Sequence, residues 1–89
     1  MARMFRATLE MTMHNKSPFA RVPIATEVVE ELGLRPGDTL KASVRGTEFT
    51  GKVHGSLKTP GLLLPMDVVE TLGLREGQGL RVTVLGRAG

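Results

Sequence analysis

The chain contains no cysteine, tryptophan or tyrosine among its 89 residues, and only two histidines and three phenylalanines. Without cysteine there can be no disulfide, no zinc ribbon and no thiol nucleophile. Without Trp or Tyr, and with Phe5, Phe19 and Phe49 all at positions expected to face inward, a base-stacking platform for single strands is missing. Long apolar runs are also absent. Leu62-Leu63-Leu64 is the longest, far short of the roughly 20 residues that a membrane-spanning helix requires. Met1-Ala2-Arg3-Met4-Phe5 carries a charge with no apolar signal region behind it, so the expectation is a cytoplasmic protein without a membrane association.

The histidines, His14 and His54, fall near the loops that join the first and second strands of two halves described below. A histidine base needs an orienting acid and a nucleophile. Glu10, Ser17 and Ser56 offer the residue types, but no nucleophile motif surrounds either serine. Two lone histidines with no carboxylate at ligand spacing do not make a metal site. Gly73, Gly77 and Gly79 offer the residue type of a phosphate loop, yet they lie between a helix and a strand, whereas a phosphate cradle leads from a strand into a helix. A non-enzymatic chain with no metal and no cofactor is expected.

What is present is a self-match. Val28-Val29-Glu30-Glu31-Leu32-Gly33-Leu34-Arg35-Pro36-Gly37-Asp38 lies over Val68-Val69-Glu70-Thr71-Leu72-Gly73-Leu74-Arg75-Glu76-Gly77-Gln78, and Leu40, Val44 and Gly46 lie over Leu80, Val84 and Gly86. Between 28–46 and 68–86, eleven of nineteen positions are identical, which reads as internal duplication. Upstream, Val22-Pro23 matches Leu64-Pro65 and Phe5…Leu9 echoes Phe49…Val53. The repeats therefore span about 5–46 and 49–86 of a single domain.

Period-two alternation predicts strands at Phe5–Leu9, Leu40–Val44, Phe49–Val53 and Leu80–Val84, each with one buried face. Phe19–Val22 and Leu62–Leu64 are short strands ended by proline. Helices follow at Thr26–Leu32 and Asp67–Leu72, with Thr26 as an N-cap and Gly33 and Gly73 as left-handed C-caps. Arg35–Asp38 reads as a type II turn, and Gly46 closes a tight hairpin. The order is β-β-α-β twice. Neither copy can cover its own edges, so a mainly β fold is expected: a small six-stranded, pseudo-two-fold barrel with two short helices.

Val22-Pro23 followed by Val28…Leu32-Gly33-Leu34-Arg35-Pro36-Gly37-Asp38 resembles the proline–helix–Leu-Gly-Leu-x-x-Gly-Asp unit of AbrB/MazE-type transcription factors and antitoxins. Those build the barrel as an intertwined dimer, so two units in one chain imply a covalent pseudo-dimer that is monomeric. The first unit departs from that pattern by two extra residues between Pro23 and Leu32. Nearly the whole chain also resembles an uncharacterised bacterial domain family often joined to YdeI/OmpD-associated bacteriocin-protection domains. That likeness rests on Phe5-x-Ala7-x-Leu9, Phe19-Ala20-Arg21-Val22-Pro23, Val44-Arg45-Gly46-x-x-Phe49 and Gly61-Leu62-Leu63-Leu64-Pro65. It implies the fold and carries no activity.

Two partner classes follow. Twelve Lys/Arg against nine Asp/Glu give a net charge of +3, which permits a nucleic-acid partner. The strand exteriors carry Arg6, Lys41, Arg45, Lys52 and Arg81, with Lys16, Arg21 and Lys58 in or beside the longer loops, while the acids gather on the helices. A basic wall of this kind tracks phosphates, although neither helix is long or basic enough to read a major groove. The alternative is a protein-interaction or accessory module that uses loops 10–18 and 54–61, where Met11 and Met13 would form an adaptable contact or fold back as a lid.

Overall fold

A computed structural model of the chain describes residues 2–14, 17–55 and 60–88, with backbone alone at 12–14 and 17. In chain order the elements are β1 (Arg3–Thr8), β2 (Glu10–His14), β3 (Ser17–Pro23), α1 (Thr26–Leu32), β4 (Thr39–Val44), β5 (Thr47–His54), β6 (Gly61–Leu64), α2 (Met66–Leu72) and β7 (Gly79–Arg87). The seven strands form one antiparallel sheet, ordered β1-β7-β4-β5-β6-β3-β2, curled into a half-barrel.

The strand count departs from the expected six. Residues 10–14, expected as loop, extend along β3, with Glu10 opposite Arg21 and His14 opposite Ser17. Met11, half-buried, packs against the core from within this strand. The sequence Glu10-Met11-Thr12-Met13-His14 does alternate polar with apolar. Methionine is not a β-branched strand former, which masks the pattern.

β1 and β2 occupy opposite edges of the sheet, yet Leu9 alone separates them in the chain. Leu9 is fully buried. Its N–H donates to the Gln78 carbonyl at 2.9 Å, and its own carbonyl accepts from the Gly77 N–H at 2.8 Å. Both polar groups of this buried residue are thus satisfied by the turn before β7.

The ladders repeat residue by residue. Phe5 opposite Val82 on β1–β7 corresponds to Phe49 opposite Ala42 on β5–β4, and Thr8 opposite Gly79 corresponds to Lys52 opposite Thr39. At the centre, Ala42 faces Val84 and Val44 faces Val82, so Ser43 and Thr83, equivalent in the self-match, lie directly opposite each other. Ala20–Leu64 and Val22–Leu62 do the same around Arg21 and Leu63. Each half's first strand pairs with the other half's last strand.

The core runs through both halves. Leu9, Val22, Leu40, Val44, Leu62, Val82 and Val84 are its largest fully buried side chains, joined by Val28 from α1 and by Val68 and Val69 from α2. Phe5 and Phe49 are buried as expected; Phe19 is only half-buried, edge-on to His54 with ring centroids 5.5 Å apart.

The helices end as the glycines dictate. Gly33 and Gly73 adopt φ of 62° and 64°, and the N–H of the following leucine bonds back to the Val29 or Val69 carbonyl at 3.0 or 2.9 Å. This satisfies carbonyls that a helix end leaves open. The helix starts differ from expectation. Ala25, and not Thr26, precedes α1 without a side-chain cap, and α2 begins at Met66. The two extra residues of the first half are Ile24 and Ala25, which lie between β3 and α1. Ile24 is buried, and its N–H donates to the Pro60 carbonyl at 3.0 Å. Both helices keep seven residues.

Candidate nucleic-acid interface

Alternation on the sheet sends Phe5, Leu80, Val82 and Val44 inward, and therefore Arg6, Arg81, Thr83 and Ser43 outward. The β1–β7 register places Arg6 directly opposite Arg81. On the other side of β7, Val82 faces Val44, and the next residue of β4's chain is Arg45. Two arginines thus come from neighbouring strands and the third from the turn that ends the next strand, a span of about 10 Å at the usual strand spacing. They line an open groove of about 610 Å³ with Ser43 and Thr83.

Arg45 reaches the groove from an unusual backbone. Val44 pairs with Thr47, so Arg45 and Gly46 form a two-residue hairpin turn, with φ of 52° and 82°. Positive φ at both positions is the type I′ pattern, which favours Asn-Gly. Arg45 is the only non-glycine with positive φ among the described residues. Gly46 marks this turn in the sequence; that Arg45 shares the left-handed conformation follows only from the Val44–Thr47 pairing.

Electrostatically the groove is one-sided. Among the described residues, ion pairs link Arg3 to Glu31, Arg21 to Glu10, Lys41 to Glu48 and Arg87 to Asp38. None involves Arg6, Arg45 or Arg81, and no carboxylate lines the groove. All three arginines are exposed.

The other basic residues divide. Arg21 is half-buried, and its Nη1 donates to Glu10 at 3.0 Å while its guanidinium lies over Gly61. It is therefore a structural clamp on β2, β3 and β6 and not a loop cation. Lys41 is exposed but sits 3.3 Å from Glu48. Lys52 is exposed at the far end of β4–β5, opposite Thr39. Lys16 and Lys58 lie outside the described residues. Of the eight basic positions named in the sequence, the structure brings together Arg6, Arg45 and Arg81. The approach of Arg6 to Arg81 depends on the pairing of β1 with β7.

Arg87 performs a different task. Its Nη2 donates to the Leu32 and Gly33 carbonyls at 2.9 and 2.8 Å, placing a cation at the C-terminus of α1, where the helix dipole favours it. The helix has no basic residue of its own in its last turn.

Among the described residues, no group of three or more His, Cys, Asp or Glu has metal-holding geometry, and no helix is long and apolar enough to cross a membrane. Met4 is the one exposed large hydrophobic side chain among them. No protein-family model matches the sequence, and no curated protein matches it either.

Proposed function

We propose that the chain is a non-enzymatic, AbrB-like binding module whose partner is nucleic acid, gripped through its phosphate backbone. The observation that carries this reading is the groove of Arg6, Arg45 and Arg81, three exposed arginines with no carboxylate among them. Guanidinium forks match phosphate oxygens bidentately. Side chains on a sheet exterior, with helices of only seven residues and, among the described residues, the Phe19–His54 pair as the one ring contact, suit contacts to the backbone over contacts to base edges.

In the same reading the sheet closes into a pseudo-two-fold barrel within one chain, with β1 and β2 as a single bent strand that joins both edges. The repeats arise by duplication, and the protein is a cytoplasmic monomer. Light scattering after size exclusion gives a monomer mass on this reading; an obligate dimer would mean that the halves exchange between chains.

Fluorescence anisotropy with duplex and single-stranded DNA and RNA tests the partner. Three neutralised phosphates give a log–log salt slope of about −2.7 for duplex and about −2.1 for single strands. Affinity then falls roughly 20- to 40-fold between about 50 and 200 mM salt. No binding at the lower salt overturns the reading.

A further inference from the structure

The residue-by-residue correspondence of the two halves makes it possible to ask which surface features the fold needs twice and which occur once. Arg6 opposite Arg81 on β1–β7 corresponds to Thr50 opposite Lys41 on β5–β4. Arg45 corresponds to Leu85, which lies unopposed at the register shift between Lys41–Gly86 and Ala42–Val84. Lys41, the single cation among these counterparts, is already paired with Glu48. The three arginines therefore occupy one side of the Ser43–Thr83 axis, and nothing equivalent occupies the other.

The fold does not account for this. The same ladder is built with Thr50 and Lys41 in place of two arginines. Like charges directly opposite each other disfavour a strand pair, and a left-handed Arg45 is disfavoured where Asn would be at ease. Two locally unfavourable choices converge on one groove, as happens where a site is held against local preference.

We infer that this groove is a single seat for one phosphoryl group or a short run of phosphates, held by Arg6, Arg45 and Arg81 with the Ser43 and Thr83 hydroxyls as further donors. This rests on the groove being the binding surface, as in the reading above. It adds that the chain grips nucleic acid on one side only. One strand's backbone is held, one ligand binds per chain, and the axis relating the halves does not coincide with a two-fold axis of a palindromic duplex. A phosphorylated small molecule offers the same chemistry, and the test separates the two sources.

Amide spectra of the ¹⁵N-labelled full chain are followed during titration with inorganic phosphate, with short oligo(dT) and with a palindromic duplex. Inorganic phosphate and oligo(dT) both shift the amides of Arg6, Ser43, Arg81 and Thr83 and leave Lys41 and Thr50 in place, with one oligonucleotide per chain. Arg81→Gln, which relieves repulsion and keeps the fold, removes the phosphate-induced shifts and weakens oligo(dT) about tenfold. Groove shifts with phosphate but no oligonucleotide binding uphold the seat, assign it to a small phosphorylated ligand and overturn the nucleic-acid reading. Oligonucleotide binding that shifts Lys41 and Thr50 as much as Arg6 and Arg81 overturns the seat and leaves the nucleic-acid reading standing. No binding of any probe overturns both.

Discussion

Arg6 on β1 and Arg81 on β7 face each other directly across the strand pair, with no carboxylate among the described residues paired to either. Strand partners of this kind are normally apolar, mixed or oppositely charged, so the pair works against the sheet that displays it.

Removing one member should therefore stabilise the protein. Arg6→Thr is expected to raise unfolding free energy by about 0.5 kcal/mol at low ionic strength. The gain shrinks as salt rises, because screening weakens the repulsion that is being relieved. Urea denaturation of both proteins at low and high salt checks this. The same variant loses nucleic-acid affinity, and its salt slope becomes shallower by roughly one contact, about 0.9 on duplex. A variant less stable at low salt would show that Arg6 is held by a favourable contact.

Arg45→Asn should act in the same direction for a different reason. Asparagine tolerates the left-handed conformation that φ of 52° imposes, and Asn-Gly is the preferred type I′ pair. A gain of about 1 kcal/mol is expected. Thermal melts report it, and anisotropy reports an accompanying loss of binding. Stabilisation with unchanged binding would remove Arg45 from the groove's function.

Gly51 and Gly79 make a contrasting pair. A Cβ on Gly51 would stand 2.2 Å from the Leu63 carbonyl oxygen, where β5 passes against β6. That atom is backbone, so Gly51→Ala must push the strands apart, at a cost of about 3 kcal/mol. At Gly79 nothing lies within 4 Å and no left-handed φ is required. Gly79→Ala is expected to stay within about 0.5 kcal/mol of the parent. Denaturant midpoints of the two variants measure the difference.

Leu9→Ala tests the join between the two edge strands. The side chain is completely buried, and its removal should cost about 2–5 kcal/mol, towards the upper end if the bend cannot collapse into the space. Hydrogen exchange adds a local readout. The Leu9 and Gly77 amides, bonded across this join, should lose protection before those of β4 and β7 at the sheet's centre.

The sequence made some of this plain and hid the rest. Leu32-Gly33-Leu34 and Leu72-Gly73-Leu74 announce their helix ends, because a left-handed C-cap is a local requirement that glycine meets. The Phe49–Val53 alternation is equally open, since Phe49, Gly51 and Val53 alternate with the polar Thr50 and Lys52. β2 was concealed by its methionines and by its counterpart: only Val53 and His54 of β5 reach across to β6, so the second half gives no model for a full strand there. The groove was legible only in part. Alternation puts Arg81 and Lys41 on the outside equally well, and nothing local says that the first has Arg6 beside it while the second has Glu48. That distinction depends on which distant strands pair, and on their register.

The exchange of strands between the halves also determines how the chain could be cut. Of the six strand pairings, β1–β7, β3–β6, β4–β5 and β4–β7 cross from one half to the other, and only β2–β3 and β5–β6 stay within one. A break at the Arg45–Gly46 turn would leave two fragments, each holding one helix and less than half of its sheet contacts. Separately the fragments are expected to show the circular dichroism of unfolded chains, and mixed they are expected to recover the sheet at a rate set by concentration. The chain is in this sense a ready-made split reporter, with its reassembly seam running beside the arginine groove.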